Sequence, residues 1–243
     1  MKLSDAIVAP DSSWSQGRSL FGGLLSAAAL RSMRALVPDR PLRGLQAAFI
    51  APVSAPFGLD ATLVRAGKHL SHARASIGDA FWAQATFGHP RASAISLCPE
   101  AVELPEEGKE LPFLAGVTPE FTRHLRHRWI SGGLPFSFSE RSSFSGTCAF
   151  RDAEPATEEH IVALLDCWPS PVLQMLDNVT NSSTVSWTVQ RTSAPIEGDA
   201  SDDWYFSART AHADEGYAEV HGTLHDPRGR LVATMQQLVA VFG

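Results

Sequence analysis

The sequence predicts an α+β protein in which one helix followed by four antiparallel strands occurs twice. Three observations carry that expectation. Helical periodicity is found near residues 22–37 and 157–166, and short strand-like segments follow each time. An acidic, proline-rich stretch, 98–120 (CPEAVELPEEGKELPFLAGVTPE), separates the two series. The repeated element order constrains the fold more than any single motif does.

The first helix is expected over Gly22–Val37. Leu24, Ala27, Ala28 and the Leu30/Met33 region recur at helical spacing, Arg31 and Arg34 can face water, and Pro38 stops the helix. Small residues early in it would let it approach a sheet closely. Segments 45–51, 57–65, 70–78 and 80–87 then alternate partially and are punctuated by Pro52, Pro56, Ala66-Gly67-Lys68 and Gly78-Asp79. They read as an antiparallel meander, on turn spacing more than on strand propensity.

After the acidic stretch, FTRHLRHRWISGG and FSFSERSSFSGTCAFRD read as strands opening a second unit. Thr157–Leu165 is helical, with Glu158 and Glu159 in the first turn where the helix dipole favours them. It reaches Asp166, and Pro171–Leu176 is a second helical piece beyond Pro169. Strands are expected at 182–192, 203–212, 216–225 and 230–241, with Pro227-Arg228-Gly229 turning between the last two. The division is therefore 1–97, a linker at 98–128, and 129–243. Two curved sheets placed edge to edge would remove exposed edges and enlarge the core.

Composition narrows the partners. A hydrophobic share of 44% is enough for a sizeable core, and a net charge of −6 argues against nucleic-acid binding. Cys98, Cys148 and Cys167 are odd in number and far apart, which suits free thiols in a reducing compartment. The start, MKLSDAIVAPDSSW, has no apolar signal core, and no run is long enough to span a membrane. A cytoplasmic location without membrane insertion is expected, which leaves the sequons at Asn178 and Asn181 without a role.

Several short motifs resemble the TesB-like, type II acyl-CoA thioesterases. In the first half they are Ser19-Leu20-Phe21-Gly22-Gly23, Ala47-Ala48-Phe49-Ile50-Ala51-Pro52-Val53, and Arg65-Ala66-Gly67-Lys68, with lysine where the family has arginine. In the second half they are Phe150-Arg151-Asp152, Leu165-Asp166-Cys167-Trp168-Pro169 and the run Gly229–Gln237. The resemblance implies a tandem (double) hotdog, two curved antiparallel sheets each wrapped around a central helix. It implies an acyl-CoA substrate, hydrolysis by direct water attack without a cofactor, and a homodimer. It also assigns the catalytic roles of Asp, Ser or Thr, and Gln to Asp166, Ser182 and Gln237. Alignment back from Arg191 favours Ser182 within the run Ser182-Ser183-Thr184 and leaves its two neighbours open, and residues after the strand opening depart from the family's Asp-His-Ser wording.

Thioester hydrolysis needs a held water, a base and donors for the oxyanion. Asp166 suits the base, since a carboxylate at the end of the apolar run IVALL has one side toward the core, which raises its pKa. Gly22 and Gly23 are candidates for the oxyanion or substrate contacts, as is Thr184, because helix-start amides are unpaired and glycine permits close approach. Plain alternatives stand beside these: a helix-end cap for Asp166, ordinary strand hydroxyls for Ser182 and Thr184, a tight joint for Gly22-Gly23. If Gln236 points out, alternation sends Gln237 inward, where a buried amide needs partners. No metal site is expected. His69 and His72 would lie on opposite faces of a strand, and His221 and His225 lie too far apart for one ion. The basic segment Arg123–Arg128, with His124 and His127, either faces water or meets CoA phosphates. Phe49, Phe81, Trp82, Trp187 and Trp204 are expected mostly in the core, some of them lining an acyl tunnel. A noncatalytic acyl-thioester-binding protein and a hotdog hydratase or dehydratase are the rival readings.

Overall fold

A computed structural model describes residues 2–242, with side chains from Ile7 onward. The first half runs β1 (Lys2–Val8), a short hairpin of β2 (Ser15–Gln16) and β3 (Ser19–Leu20), α1 (Gly22–Leu36), β4 (Leu42–Phe49), β5 (Phe57–Ala66), β6 (Leu70–Ile77) and β7 (Phe81–Gly88). The second half runs β8 (Lys109–Leu111), β9 (Leu125–Ser131), β10 (Ser143–Phe150) and α2 (Glu158–Asp166), then β11 (Asn181–Arg191), β12 (Trp204–Asp214), β13 (Tyr217–His225) and β14 (Leu231–Phe242).

Twelve strands form one antiparallel sheet in the order β1-β5-β6-β7-β4-β11-β14-β13-β12-β10-β9-β8. β4 and β11 are neighbours, with Ala48 opposite Ser186 and Gly44 opposite Gln190, so main-chain hydrogen bonds join the halves at the centre. On either side of that seam the strand that follows each helix is flanked by its own half's last strand. The order is therefore pseudo-twofold about β4/β11. This is the tandem hotdog arrangement, and the central pairing closes two edges that separate halves would expose.

Alanines at the sheet's inner face explain how the first helix is wrapped. Ala61, Ala73, Ala75, Ala83 and Ala85 are buried on β5, β6 and β7, and their small side chains let α1 lie close. α1 turns Gly23, Leu25, Ser26, Ala29, Leu30, Met33 and Leu36 inward. In α2, Ile161–Leu165 are all buried, so this helix is enclosed all round rather than amphipathic.

The two helices pack antiparallel. Gly23 makes the close crossing, since a Cβ there would stand 3.1 Å from Ala163 Cα. At one end Gly22 lies against Asp166; at the other, Arg34 is paired with Glu158. Glu158 also accepts from the Leu42 N–H at 2.8 Å, while the Arg34 guanidinium covers the Phe87 ring at 4.5 Å. Both charges are mostly buried, and removing Glu158 leaves Arg34 without its counter-ion, though it still donates to the Val37 and Arg40 carbonyls. Glu158→Ala is accordingly expected to cost about 2 kcal/mol in urea unfolding, and Glu158→Gln less, because it keeps an acceptor for Leu42.

The structure departs from the sequence reading in several places. β1, unforeseen, extends the sheet through pairing with β5. Residues 132–142, most of them expected in two strand-opening segments split at Leu134-Pro135, form a loop in which Phe136 and Phe138 have φ of 62° and 53°. Its amides are taken instead by the carbonyls of Leu173 and Leu176. Pro171–Met175 makes that supporting turn as a 3-10 helix. Within 98–128, residues 109–111 and 125–128 lie in strands. Trp82 points outward at 40% exposure, whereas Phe81, Trp187 and Trp204 are buried.

Candidate functional site

Asp166 closes α2, and the turn after it is held by aromatic packing. Trp168 meets the rings of His127, Trp129, Phe144 and Phe206. Gly146 on β10 makes room for this: a Cβ there would sit 2.4 Å from Trp168 Cη2. On β14, Met235, Gln237 and Val239 face inward while Gln236 and Leu238 face out, as the two-residue strand period requires. Gln237 Nε2 donates to Asp166 Oδ1 at 2.8 Å. Its neighbour Gln236 donates on the opposite face, to Glu219 Oε1 at 2.6 Å.

The first half supplies the other wall. Phe21, just ahead of α1, stacks on Phe121 at 4.0 Å and donates its N–H to the Trp14 carbonyl, which fixes the helix start. A Cβ on Gly22 would stand 2.8 Å from Asp166 Oδ2 and 3.0 Å from Phe49 Cε1, so only glycine lets the carboxylate and the ring approach the helix this closely. The Gly23 N–H donates to the same carboxylate. Asp166 thus sits at the unfavourable end of its own helix dipole and the favourable end of α1. Burial dominates: it raises the Asp166 pKa to about 7, against the opposing pull of the Gln237 and Gly23 donors. A half-buried carboxyl of this kind accepts a proton near neutral pH, held by one amide side chain and one helix terminus.

Comparison with known proteins follows the same two-part division. The family model described as acyl-CoA thioesterase N-terminal domain matches residues 10–88, and that described as acyl-CoA thioesterase C-terminal domain matches residues 103–241. The chain belongs to the acyl-CoA thioesterase family. Among solved structures it is similar to a hot dog fold protein of unknown function from Alicyclobacillus acidocaldarius, with a TM-score of 0.82 and 23% identity over 98% of this chain and 92% of that one. It is also similar to the acyl-CoA thioesterase II TesB2 of Mycobacterium marinum, with a TM-score of 0.71 and 18% identity over 93% and 90%. At these identities the structural likeness establishes the fold. No match was found among curated proteins.

Of the residues that resemblance to the thioesterase family selects, the structure brings Asp166, Gln237, Gly22 and Gly23 together. The hydroxyls stand apart. Ser182 is exposed and opposite Val241, four positions along β14 from Gln237, or roughly 13 Å at strand spacing. Thr184 is opposite Val239, half-buried and two positions from Gln237, roughly 7 Å along the strand. A bulge between Thr184 and Ser186 shifts the register, and counting back from Arg191 in sequence cannot register it. The Gly23 amide stands close enough to the Asp166 carboxylate to lower its pKa.

The basic segment is mostly paired at home. Arg126 and Arg128 share Asp203 at 2.7 and 3.0 Å, and Arg123 pairs with Glu120 at 2.8 Å. His124 stacks on Trp14 at 4.1 Å, with Nε2 2.6 Å from Ser13 Oγ. His127, grouped with it in sequence, is instead buried, 3.2 Å from the Cys167 carbonyl. Burial lowers its pKa to about 4, so it is neutral at pH 7. The alternation Leu125, His127, Trp129 is the sequence signal that could have turned this ring inward. Cys167 is buried too; its thiol pKa is pushed well up, first by burial, and Sγ donates to the Leu164 carbonyl at 3.2 Å, which makes it a poor nucleophile. His72, whose Nδ1 lies 3.1 Å from Thr86 Oγ1, is occupied on the outer sheet face.

Proposed function

We propose that this chain hydrolyses an acyl-CoA thioester to the free acid and CoA by direct attack of water, with Asp166 as general base. One observation carries the reading: Asp166 and Gln237 are in contact beside the glycine start of α1, and the carboxyl has a pKa near 7. A base with that pKa is deprotonated enough to act at neutral pH and basic enough to remove a proton from water. Water oxygen bonds to the thioester carbonyl carbon as its proton passes to Asp166. The tetrahedral intermediate then collapses with cleavage of its C–S bond, and the departing thiolate takes the proton from Asp166 to leave as free CoA, which restores the base. Gln237 orients the carboxylate, and unpaired amides at the start of α1, with Gly22 nearest, face the developing oxyanion. Thr184 is the nearer hydroxyl for holding the water, while Ser182 lines the approach. The family resemblance also favours a homodimer, for which gel filtration near the mass of one 26.2 kDa chain is the contrary result.

The test is thiol release from a panel of short to long acyl-CoAs. Release is expected, and tight acyl-CoA binding without it is the outcome that overturns the reading. The pH dependence is a second check. Ionised Asp166 is the active form, so kcat/KM is expected to rise about tenfold per unit below pH 7 and level off above it. Because the Gln237 donor lowers the Asp166 pKa, Gln237→Leu is expected to move this profile to higher pH.

A further inference from the structure

The buried end of α2 lacks the usual means of satisfying its carbonyls. Helices commonly finish on a glycine in the left-handed conformation, so that the following amides turn back onto the last turn. Here Cys167 ends the helix at φ −78° and ψ −4°, and Pro169, two residues on, has no N–H to give. Leu164, Leu165 and Cys167 are buried, so bulk water does not reach these oxygens either.

Side chains supply donors instead. Cys167 Sγ donates to the Leu164 carbonyl at 3.2 Å, and Cys148 Sγ reaches the same oxygen at 3.8 Å. Thiols are weak donors. The stronger one is His127, whose Nε2 lies 3.2 Å from the Cys167 carbonyl oxygen. That oxygen can only accept, so Nε2 carries the proton. His127 and Cys148 stand opposite each other on β9 and β10, which directs both at one helix end. The imidazole is held edge-on against Trp168 at 4.8 Å.

If this position served packing alone, phenylalanine or leucine would fill it without the cost of burying an imidazole. Its neighbours on the same face of β9, Leu125 and Trp129, are apolar or aromatic. What the imidazole adds is a donor to the carbonyl of the residue that follows Asp166. A bare oxygen there would strengthen the negative end of the α2 dipole and oppose a charge on Asp166. We propose that His127 is a positioning residue for Asp166: its N–H fixes the turn that bears the carboxyl and offsets the helix-end charge, which favours the ionised form. This rests on the reading of Asp166 as general base and names a residue that tunes it.

The surrounding groups keep the two titrations apart. Asp166 faces the Gln237 amide of β14, the Gly23 N–H of α1 and the Cys167 thiol. His127 faces Cys148 of β10, Cys167 and Trp168, and the charge of Arg151 adds to burial in holding the ring neutral. Arg126 and Arg128 of β9 are paired with Asp203. With pKa values of about 4 and about 7, His127 is already uncharged where Asp166 ionises, and the Cys167 thiol stays protonated.

The experiment follows the Asp166 carboxyl by carbon-13 NMR of the intact protein as pH is varied through neutrality, the signal being assigned by its absence from Asp166→Asn. His127→Phe keeps a ring and loses the N–H. Its carboxyl midpoint is expected to rise by about half a unit, the scale of a single donor at a helix terminus. His127→Gln, whose Nε2 offers a neutral donor at similar reach, is expected to restore the wild-type midpoint, and the kcat/KM profile is expected to move with the carboxyl in each variant. A midpoint unmoved in His127→Phe, or moved equally in His127→Gln, overturns the proposal and leaves a packing role. His127→Leu replaces the phenylalanine form if circular dichroism shows that the latter has not folded. Because the carboxyl signal needs no turnover, the two ideas fail separately. A midpoint that moves while no thioester is cleaved removes hydrolysis and keeps the tuning; cleavage with an unmoved midpoint does the reverse.

Discussion

Asp166→Asn is expected to lower kcat for thioester hydrolysis by roughly 10²–10⁴, the usual worth of a positioned proton acceptor, while leaving the fold intact. The amide keeps an oxygen for the Gln237 donor but cannot take a proton. The same substitution has a stability signature of opposite sense. Below about pH 4 the wild-type carboxyl is neutral in both folded and unfolded chains, so the two proteins differ little. Between that value and about pH 7 the unfolded chain releases the proton while the folded chain keeps it, and the wild type loses stability as pH rises. Above pH 7 the wild type carries the whole burden of a buried charge, about 2 kcal/mol after allowance for partial exposure, and the asparagine form does not. Urea unfolding at pH 4 and pH 8 reads this directly. A variant that is less active and, only at the higher pH, more stable is the expected pair of results. Unchanged turnover removes Asp166 from the chemistry.

Gly22→Ala is expected to be almost as damaging by a route that involves no functional group. The new methyl carbon would sit 2.8 Å from Asp166 Oδ2 and 3.0 Å from the Phe49 ring, so the carboxylate has to move. A displacement near 1 Å at a reacting group costs about 10²-fold. Alanine is otherwise welcome in a helix, and the residue's backbone conformation there is ordinary, so thermal unfolding is expected to change little. Near-normal activity would mean that Asp166 can retreat without consequence, and with it the argument for a positioned base weakens.

Much of the architecture was legible because it is written in periodicity and punctuation. The boundaries of α1, the four strands after it and the four after α2 follow from turn residues and two simple spacings. β1 was not legible, since a short edge strand beside Pro10 has little pattern of its own. The loop at 132–142 was misread because its phenylalanines look like strand residues, while its amides at Phe136, Phe138 and Ser139 bond to the carbonyls of Leu173, Leu176 and Gln174, in a turn far along the sequence. The contact between Asp166 and Gln237 joins two residues that a resemblance to the thioesterase family selects, and strand alternation explains why the amide turns inward. The depth of Ser182 along β11 was not legible, because it depends on a bulge that exists only in the paired strands.

The antiparallel lie of the two helices has a consequence for how such a molecule can change. A duplicated unit begins with two equivalent ends, each pairing the start of one helix with the finish of the other. Here one end holds an acid against bare glycine and the other a cation locked to an anion. Since the copies are stitched together by backbone at β4 and β11, neither end needs its side chains to keep the halves united. One chain can therefore carry an acid at one pole and an ion pair at the other, an asymmetry closed to an assembly of two identical subunits, where any residue altered at one pole is altered at the other.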